Sequence, residues 1–130
     1  MEILLQQKPI EDRSTVVRKQ IDDFRSSGKL HMHSDFPFFY TEGVEYVTSV
    51  LGAGHLLRDM GMQAFALSGE WDFVSIRLCR GCLDNCWIEY SRRNGEIIKK
   101  MRIPENIPLA PNFAICFYFI GRTLILPTEF

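Results

Sequence analysis

The chain has 130 residues, of which 46% are hydrophobic and 24% charged, and it includes ten Phe and two Trp. This composition excludes an intrinsically disordered chain and predicts a single globular domain over residues 1–130. The 15 basic and 16 acidic side chains give a net charge of −1. Nucleic acid and acidic membranes are therefore disfavoured as partners, because no net positive field attracts them.

Targeting signals are not evident in the sequence. The N-terminal stretch MEILLQQKPIEDR has neither the basic start nor the apolar core of a secretory signal. No apolar run reaches the length of about 18 residues that a membrane-spanning helix needs. We therefore expect a cytoplasmic protein whose four cysteines are reduced thiols, since disulfides are rare in that compartment.

The first half of the chain shows helical patterns. Residues 2–6 predict a short strand or an apolar lead-in, and a helix is predicted from Pro9 to Gly28 with an apolar stripe at Ile10, Val17, Ile21 and Phe24. A loop, LHMHSDFPFFY, follows. A second helix is predicted from a Thr41 cap to Met60, with Gly61 past its end. Gly52 and Gly54 inside it either allow close approach to a sheet or break it briefly.

The second half has a strand-like period. Asn94 and Gly95 predict a two-residue hairpin turn of the primed type, which sets Glu89 opposite Lys100 and Trp87 opposite Arg102. A helix over residues 84–93 remains an alternative, because Asn-Gly also ends helices. The predicted strands are 63–68, 71–78, 86–92, 96–103, 113–120 and 123–126. Together the elements predict an α+β fold in which two N-terminal helices pack on a curved antiparallel sheet of five to six strands.

Three cysteines lie close together in CRGCLDNC, residues 79–86. Cys79 and Cys82 have the C-x2-C spacing of zinc ligands, and Cys86 with any of His31, His33 or His55 could complete the set, so a small zinc-binding protein is one hypothesis. A second hypothesis is redox chemistry, which needs the helical alternative after the motif. The third, which the predicted register favours, is a hairpin loop in which Cys79 and Cys86 start on opposite faces of the sheet.

His31, His33 and Asp35 form an H-x-H-x-D pattern, in which the two imidazoles project to the same side of an extended segment. The stretch LHMHSDF resembles the first metal-binding motif of the polymerase-and-histidinol-phosphatase superfamily and, more loosely, the start of the metallo-β-lactamase motif. That resemblance implies a metal-dependent hydrolase. The alternative is a surface loop whose aromatic residues pack against the sheet, and it is favoured because His55 is the one further histidine in the sequence.

The leading functional hypothesis is a non-catalytic module that binds another protein or a second copy of itself, as an inhibitor, an immunity-type protein or an accessory subunit would. Its basis is apolar surface beyond what one sheet face needs, on an aromatic loop and a strand pair with apolar residues on both faces. The residues predicted to bind the partner are Phe36, Phe38, Phe39, Tyr40, Trp87, Phe117 and Phe119.

A second hypothesis is a small-ligand-binding domain or enzyme with a pocket between the sheet and the helix 42–60. Its polar residues would be His55, Asp72 and Tyr90. Of these, Asp72 is predicted to share a strand face with Val74 and Ile76, where an acid lies either at the rim of the core or in a functional site.

Overall fold

A computed structural model describes residues 30–52, 54–83, 85–104 and 107–130. The predicted strand at residues 2–6 and the predicted helix from Pro9 to Gly28 lie outside this part of the chain. Two further helices and a sheet are described, which confirms an α+β fold. None of the helices in the described ranges combines the length and the apolar character that crossing a membrane requires.

The sheet has seven strands in the order β1-β2-β7-β6-β3-β4-β5, rather than the five to six that we predicted. The two additional strands, β1 (Leu30–Met32) and β2 (Phe39–Thr41), lie in the segment predicted to be a loop. Because β2 pairs in parallel with β7, the sheet is mixed rather than antiparallel throughout. The others are β3 (Phe73–Arg80), β4 (Cys86–Ser91), β5 (Ile97–Ile103), β6 (Phe113–Ile120) and β7 (Thr123–Ile125).

The predicted helix 42–60 is two helices, α1 (Glu42–Val50) and α2 (Gly54–Leu67). As predicted, Thr41 caps α1, since its hydroxyl accepts a hydrogen bond from the backbone N–H of Val44 at 3.3 Å. Gly52 interrupts the helix with a φ of +66°, a conformation that glycine adopts without steric cost. The predicted strand at 63–68 is wrong, because α2 continues through Gly61 to Leu67.

Both helices contribute to a core on one face of the sheet. From α1 and α2, Val44, Val47, Leu56 and Met60 are buried there. From the strands, alternate residues point to the same face, as the pleat of a strand requires. These are Val74, Ile76 and Leu78 of β3, Cys86, Ile88 and Tyr90 of β4, and Ile115, Phe117 and Phe119 of β6.

The hairpin between β4 and β5 has the predicted pairs but a different turn. Glu89 lies opposite Lys100 and Trp87 opposite Arg102. The turn, however, has three residues. The backbone N–H of Arg92 donates a hydrogen bond to the carbonyl of Glu96, the carbonyl of Arg92 accepts one from the N–H of Gly95, and Gly95 has a φ of +91°. A register shift between Tyr90 and Ser91 compensates for the extra turn residue, so the predicted alignment holds farther from the turn.

Candidate functional site

The face of the sheet opposite the core, here called the outer face, is built from rows of residues paired across β6, β3, β4 and β5. One row contains Cys116, Arg77, Glu89 and Lys100 in spatial order. The row on one side contains Tyr118, Ser75, Ser91 and Ile97, and the row on the other side contains Ala114, Cys79, Trp87 and Arg102. Cations and aromatic rings therefore lie next to each other on this face.

In the middle of the outer face, the carboxylate of Glu89 contacts two neighbouring side chains. Glu89, only 13% exposed, accepts a hydrogen bond from Trp87 Nε1 at 2.8 Å and lies 3.6 Å from Arg77 Nη1. The ammonium of Lys100 lies 5.0 Å from the centroid of the Trp87 ring. Since Arg77, Lys100 and Arg102 surround this single acid, the rows as a whole present positive charge.

A groove of about 460 Å³ crosses the outer face. Ser75 and Ser91, which are adjacent in their row, form its floor. The aromatic rings of Phe73, Tyr118 and Phe130 form one side, with the Phe73 and Tyr118 centroids 4.9 Å apart and the Tyr118 and Phe130 centroids 5.8 Å apart. Phe130 is 70% exposed. Arg77, Glu89 and Ile97 also line the groove.

Two arginines beside the groove rest on aromatic rings. The guanidinium of Arg93 lies 4.4 Å from the centroid of Phe73, and that of Arg92 lies 4.4 Å from the centroid of Trp71. Arg92 also lies 3.6 Å from Glu96. Each of these cation–π contacts stabilises an exposed site by about 0.5–1 kcal/mol and holds the arginine in a defined position.

Of the predicted partner-binding residues, Trp87 lies on the outer face. Phe117 and Phe119 are 0% and 1% exposed, so their side chains form core and not surface. In the aromatic loop, Phe38 is fully buried, and Phe36 and Tyr40 are half-buried against the core. The outer face of β6 instead presents Tyr118, a residue that the sequence analysis did not select.

The predicted ligand-pocket residues are not brought together. Tyr90 is buried and lines a cleft between α2 and the β4–β5 hairpin. His55 is exposed on α2, and Asp72 is exposed beside Trp71, Arg92 and Arg93. These positions do not bring the three side chains into one site, so a ligand pocket formed by all three remains a prediction.

The predicted metal ligands are also separated. Cys79 faces the outer side and Cys86 the core, as the predicted register requires, while Cys82 is exposed in the loop between them. His31 and His33 lie at the β1 edge, four strands from β3 in the sheet order. There His31 Nε2 lies 3.0 Å from Glu45 and His33 stacks on Phe38. The described residues hold no group of three His, Cys, Asp or Glu that could bind a metal.

Two ionisable groups of β3 and β4 are held in their neutral forms. Burial, and then the field of Glu89, raises the pKa of the Cys79 thiol, which disfavours the reactive thiolate. Burial, and then the field of Asp59, raises the pKa of Tyr90. The geometry around Cys79 is therefore that of a packed thiol rather than of a nucleophile.

The raised pKa of Tyr90 predicts a loss of stability at high pH. The unfolded chain releases this proton near pH 10, whereas the folded chain retains it, so the stabilisation is complete below about pH 10 and declines above it. We expect the free energy of unfolding to fall by about 1 kcal/mol more in the wild type than in Tyr90→Phe between pH 10 and 11. Urea unfolding at both pH values measures this, and equal decreases would contradict it.

Comparison with known proteins gives no match to a family model, to a curated protein or to a solved structure.

Proposed function

We propose that this chain is a non-catalytic module that binds another protein through the outer face of its sheet. The observation that carries the proposal is the alternation of arginine, lysine and aromatic side chains around the groove. Arg, Trp, Tyr and Phe are the residue types enriched in the energetically dominant centres of protein interfaces. An inhibitor, an immunity-type protein or an accessory subunit would use such a surface.

The charge of the outer face indicates which kind of protein surface the partner would present. Arg77, Lys100 and Arg102 exceed the single carboxylate of Glu89 on this face. A partner that places Asp or Glu side chains opposite them gains complementary potential, which increases the association rate and disfavours basic partners. We therefore propose an acidic surface or segment as the partner's contribution.

Protein is favoured over nucleic acid on this face because cations of the same chain already cover aromatic rings. Lys100 lies over Trp87, and Arg93 over Phe73. Single-stranded nucleic acid binds by stacking its bases on open aromatic faces, and a base that stacks on Trp87 or Phe73 would have to displace a cation first. The net charge of −1 also supplies no long-range attraction for phosphates.

Arg77 provides the direct test, and Arg58 is its matched control. Their side chains are 55% and 52% exposed, but Arg58 lies on α2, away from the outer face. The tagged full-length chain would be used to capture its partner from native lysate, and the dissociation constant would then be measured with purified partner. We expect Arg77→Ala to weaken binding at least tenfold and Arg58→Ala to change it less than twofold.

Three results would contradict this proposal. The first is the absence of any stoichiometric protein partner, and the second is a partner that binds Arg77→Ala and the wild type equally. The third is captured material that nuclease treatment releases, which would show that the outer face binds nucleic acid.

A further inference from the structure

A second concave site lies on the opposite side of the sheet from the outer face. It is a cleft of about 310 Å³ between α2 and the β4–β5 hairpin. Its apolar lining includes Leu56 and Met62 of α2, Ile88 of β4, and Met101 and Ile103 of β5. This volume is at the lower end of the range of small-molecule sites, which is about 300–1,000 Å³.

Tyr90 supplies an unsatisfied polar group in this cleft. The residue is 0% exposed and lines the cleft, and its hydroxyl has no hydrogen-bond partner among the described residues. Leaving a buried hydroxyl unpaired costs about 1–3 kcal/mol, and buried polar groups in folded proteins are otherwise nearly always paired. A ligand oxygen would give this hydroxyl its missing partner once the side chains that cover it shift, because the hydroxyl oxygen is itself covered by protein.

The charged groups around the cleft define what it can accept. Asp59 lies at the rim, 41% exposed, with Arg58 Nε 3.7 Å from its carboxylate, and Gln63 accepts a hydrogen bond from Lys99. Arg102 also lines the cleft, although its position opposite Trp87 directs its side chain to the outer face. The field of Asp59 disfavours negative charge at the Tyr90 oxygen, and an anionic ligand oxygen placed there meets the same repulsion.

We propose that the cleft between α2 and the β4–β5 hairpin binds a small uncharged molecule with an apolar body and one hydroxyl or carbonyl group that hydrogen-bonds the Tyr90 hydroxyl. The apolar body lies against Leu56, Ile88 and Met101. The ligand oxygen meets the Tyr90 hydroxyl, which is both a donor and an acceptor, after the side chains that cover this hydroxyl move aside. This site is separate from the outer face, so the result for ligand binding in the cleft is independent of the result for protein binding on the outer face.

Three single-ring probes test this chemistry, because they share one apolar body and differ in one group. They are 4-ethylphenol, ethylbenzene and 4-ethylbenzoate, titrated into the full chain at pH 7 with NMR shifts of the Met62 and Met101 methyl groups as the readout. We expect 4-ethylphenol to bind about tenfold more tightly than ethylbenzene, as one buried hydrogen bond implies. The anion 4-ethylbenzoate is expected to bind more weakly than both.

Two tyrosine variants show whether Tyr90 is responsible. In Tyr90→Phe, we expect 4-ethylphenol to lose its advantage and to bind no more tightly than ethylbenzene. In Tyr46→Phe, which alters a tyrosine of α1 that is not among the residues lining the cleft, the tenfold preference is expected to remain. Urea unfolding would verify that both variants are folded, and Tyr90→Phe is expected to be at least as stable as the wild type because it removes an unpaired buried hydroxyl.

Several outcomes would overturn the inference. One is the absence of saturable binding of 4-ethylphenol to the wild type, and another is a set of methyl shifts that lie only outside the cleft. A third is tighter binding of 4-ethylbenzoate than of 4-ethylphenol, and a fourth is a preference for 4-ethylphenol over ethylbenzene that is unchanged in Tyr90→Phe. After the first result, a buried water would be the alternative partner of the Tyr90 hydroxyl. None of these results would affect the expected loss of partner binding in Arg77→Ala.

Discussion

Gly61→Ala is expected to lower the free energy of unfolding by about 3 kcal/mol, the upper end of what overpacking a core usually costs. The reason is the ring of Phe38, a fully buried residue that packs directly on the backbone of α2 at Gly61. A Cβ at this position would overlap the ring atoms, so the fully buried ring or the helix would have to shift. Urea unfolding of the wild type and the variant measures the difference.

Gly69 is the matched control for this prediction. A Cβ at Gly69 would meet no atom closer than 3.9 Å, and the residue is exposed after the end of α2. Gly69→Ala is therefore expected to leave stability unchanged or to raise it by up to about 1 kcal/mol, through the reduced freedom of the unfolded chain. Equal stabilities of Gly61→Ala and Gly69→Ala would show that Phe38 does not pack on α2 as described.

Glu129→Ala is expected to lower the free energy of unfolding by about 3 kcal/mol, because the carboxylate joins the C-terminal segment to the start of α1. Glu129 is 9% exposed, and its Oε1 accepts hydrogen bonds from the Thr41 hydroxyl at 2.5 Å and from the backbone N–H of Leu126 at 3.0 Å. Removing it leaves two buried donors without an acceptor, and hydrogen bonds to charged groups contribute about 1.5–3 kcal/mol each.

Two variants separate this network from the general effect of removing an acid. Glu129→Gln keeps an oxygen acceptor at the same place, so a smaller loss than in Glu129→Ala is expected. Glu70→Ala removes an exposed carboxylate near the end of α2 and is expected to change stability by less than about 0.5 kcal/mol. A loss below 1 kcal/mol in Glu129→Ala would contradict the role assigned to this carboxylate.

The sequence predicts local elements of this fold better than its long-range pairings. The bounds of β6 follow from a continuous apolar run of strand length, and the cross-strand pairs of the β4–β5 hairpin follow from one turn signal. In contrast, β1 and β2 have three residues each, and β2 exists as a strand because it pairs with β7, far away in the chain. Such short strands carry too few residues to show a period.

The error at Gly61 has a physical origin. Met60-Gly61 ends an apolar helical pattern and therefore indicates a stop, but here the glycine makes room for the Phe38 ring, and the helix continues beyond it with Ala64 buried in the core. These contacts are tertiary packing, which overrides local preference. Sequence periodicity alone contains no information about the approaching ring.

The candidate site was only partly predictable. The hairpin register predicted from the sequence pairs Glu89 with Lys100 and Trp87 with Arg102, and it therefore places these residues on one face of the sheet. Tyr118 was missed because both faces of β6 are apolar, and alternation does not indicate which of them meets the helices. Phe117 and Phe119 were selected as surface for the same reason, and burial against α1 and α2 places them in the core.

Arginine footprinting would show whether the outer face contacts a protein partner. Phenylglyoxal would be reacted with the chain alone and with its complex, and modification would be quantified by mass spectrometry at Arg77 and Arg58, which are similarly exposed in the free chain. We expect the partner to lower the modification of Arg77 several-fold and to leave that of Arg58 unchanged. Protection of Arg58 with full reactivity at Arg77 would contradict this expectation.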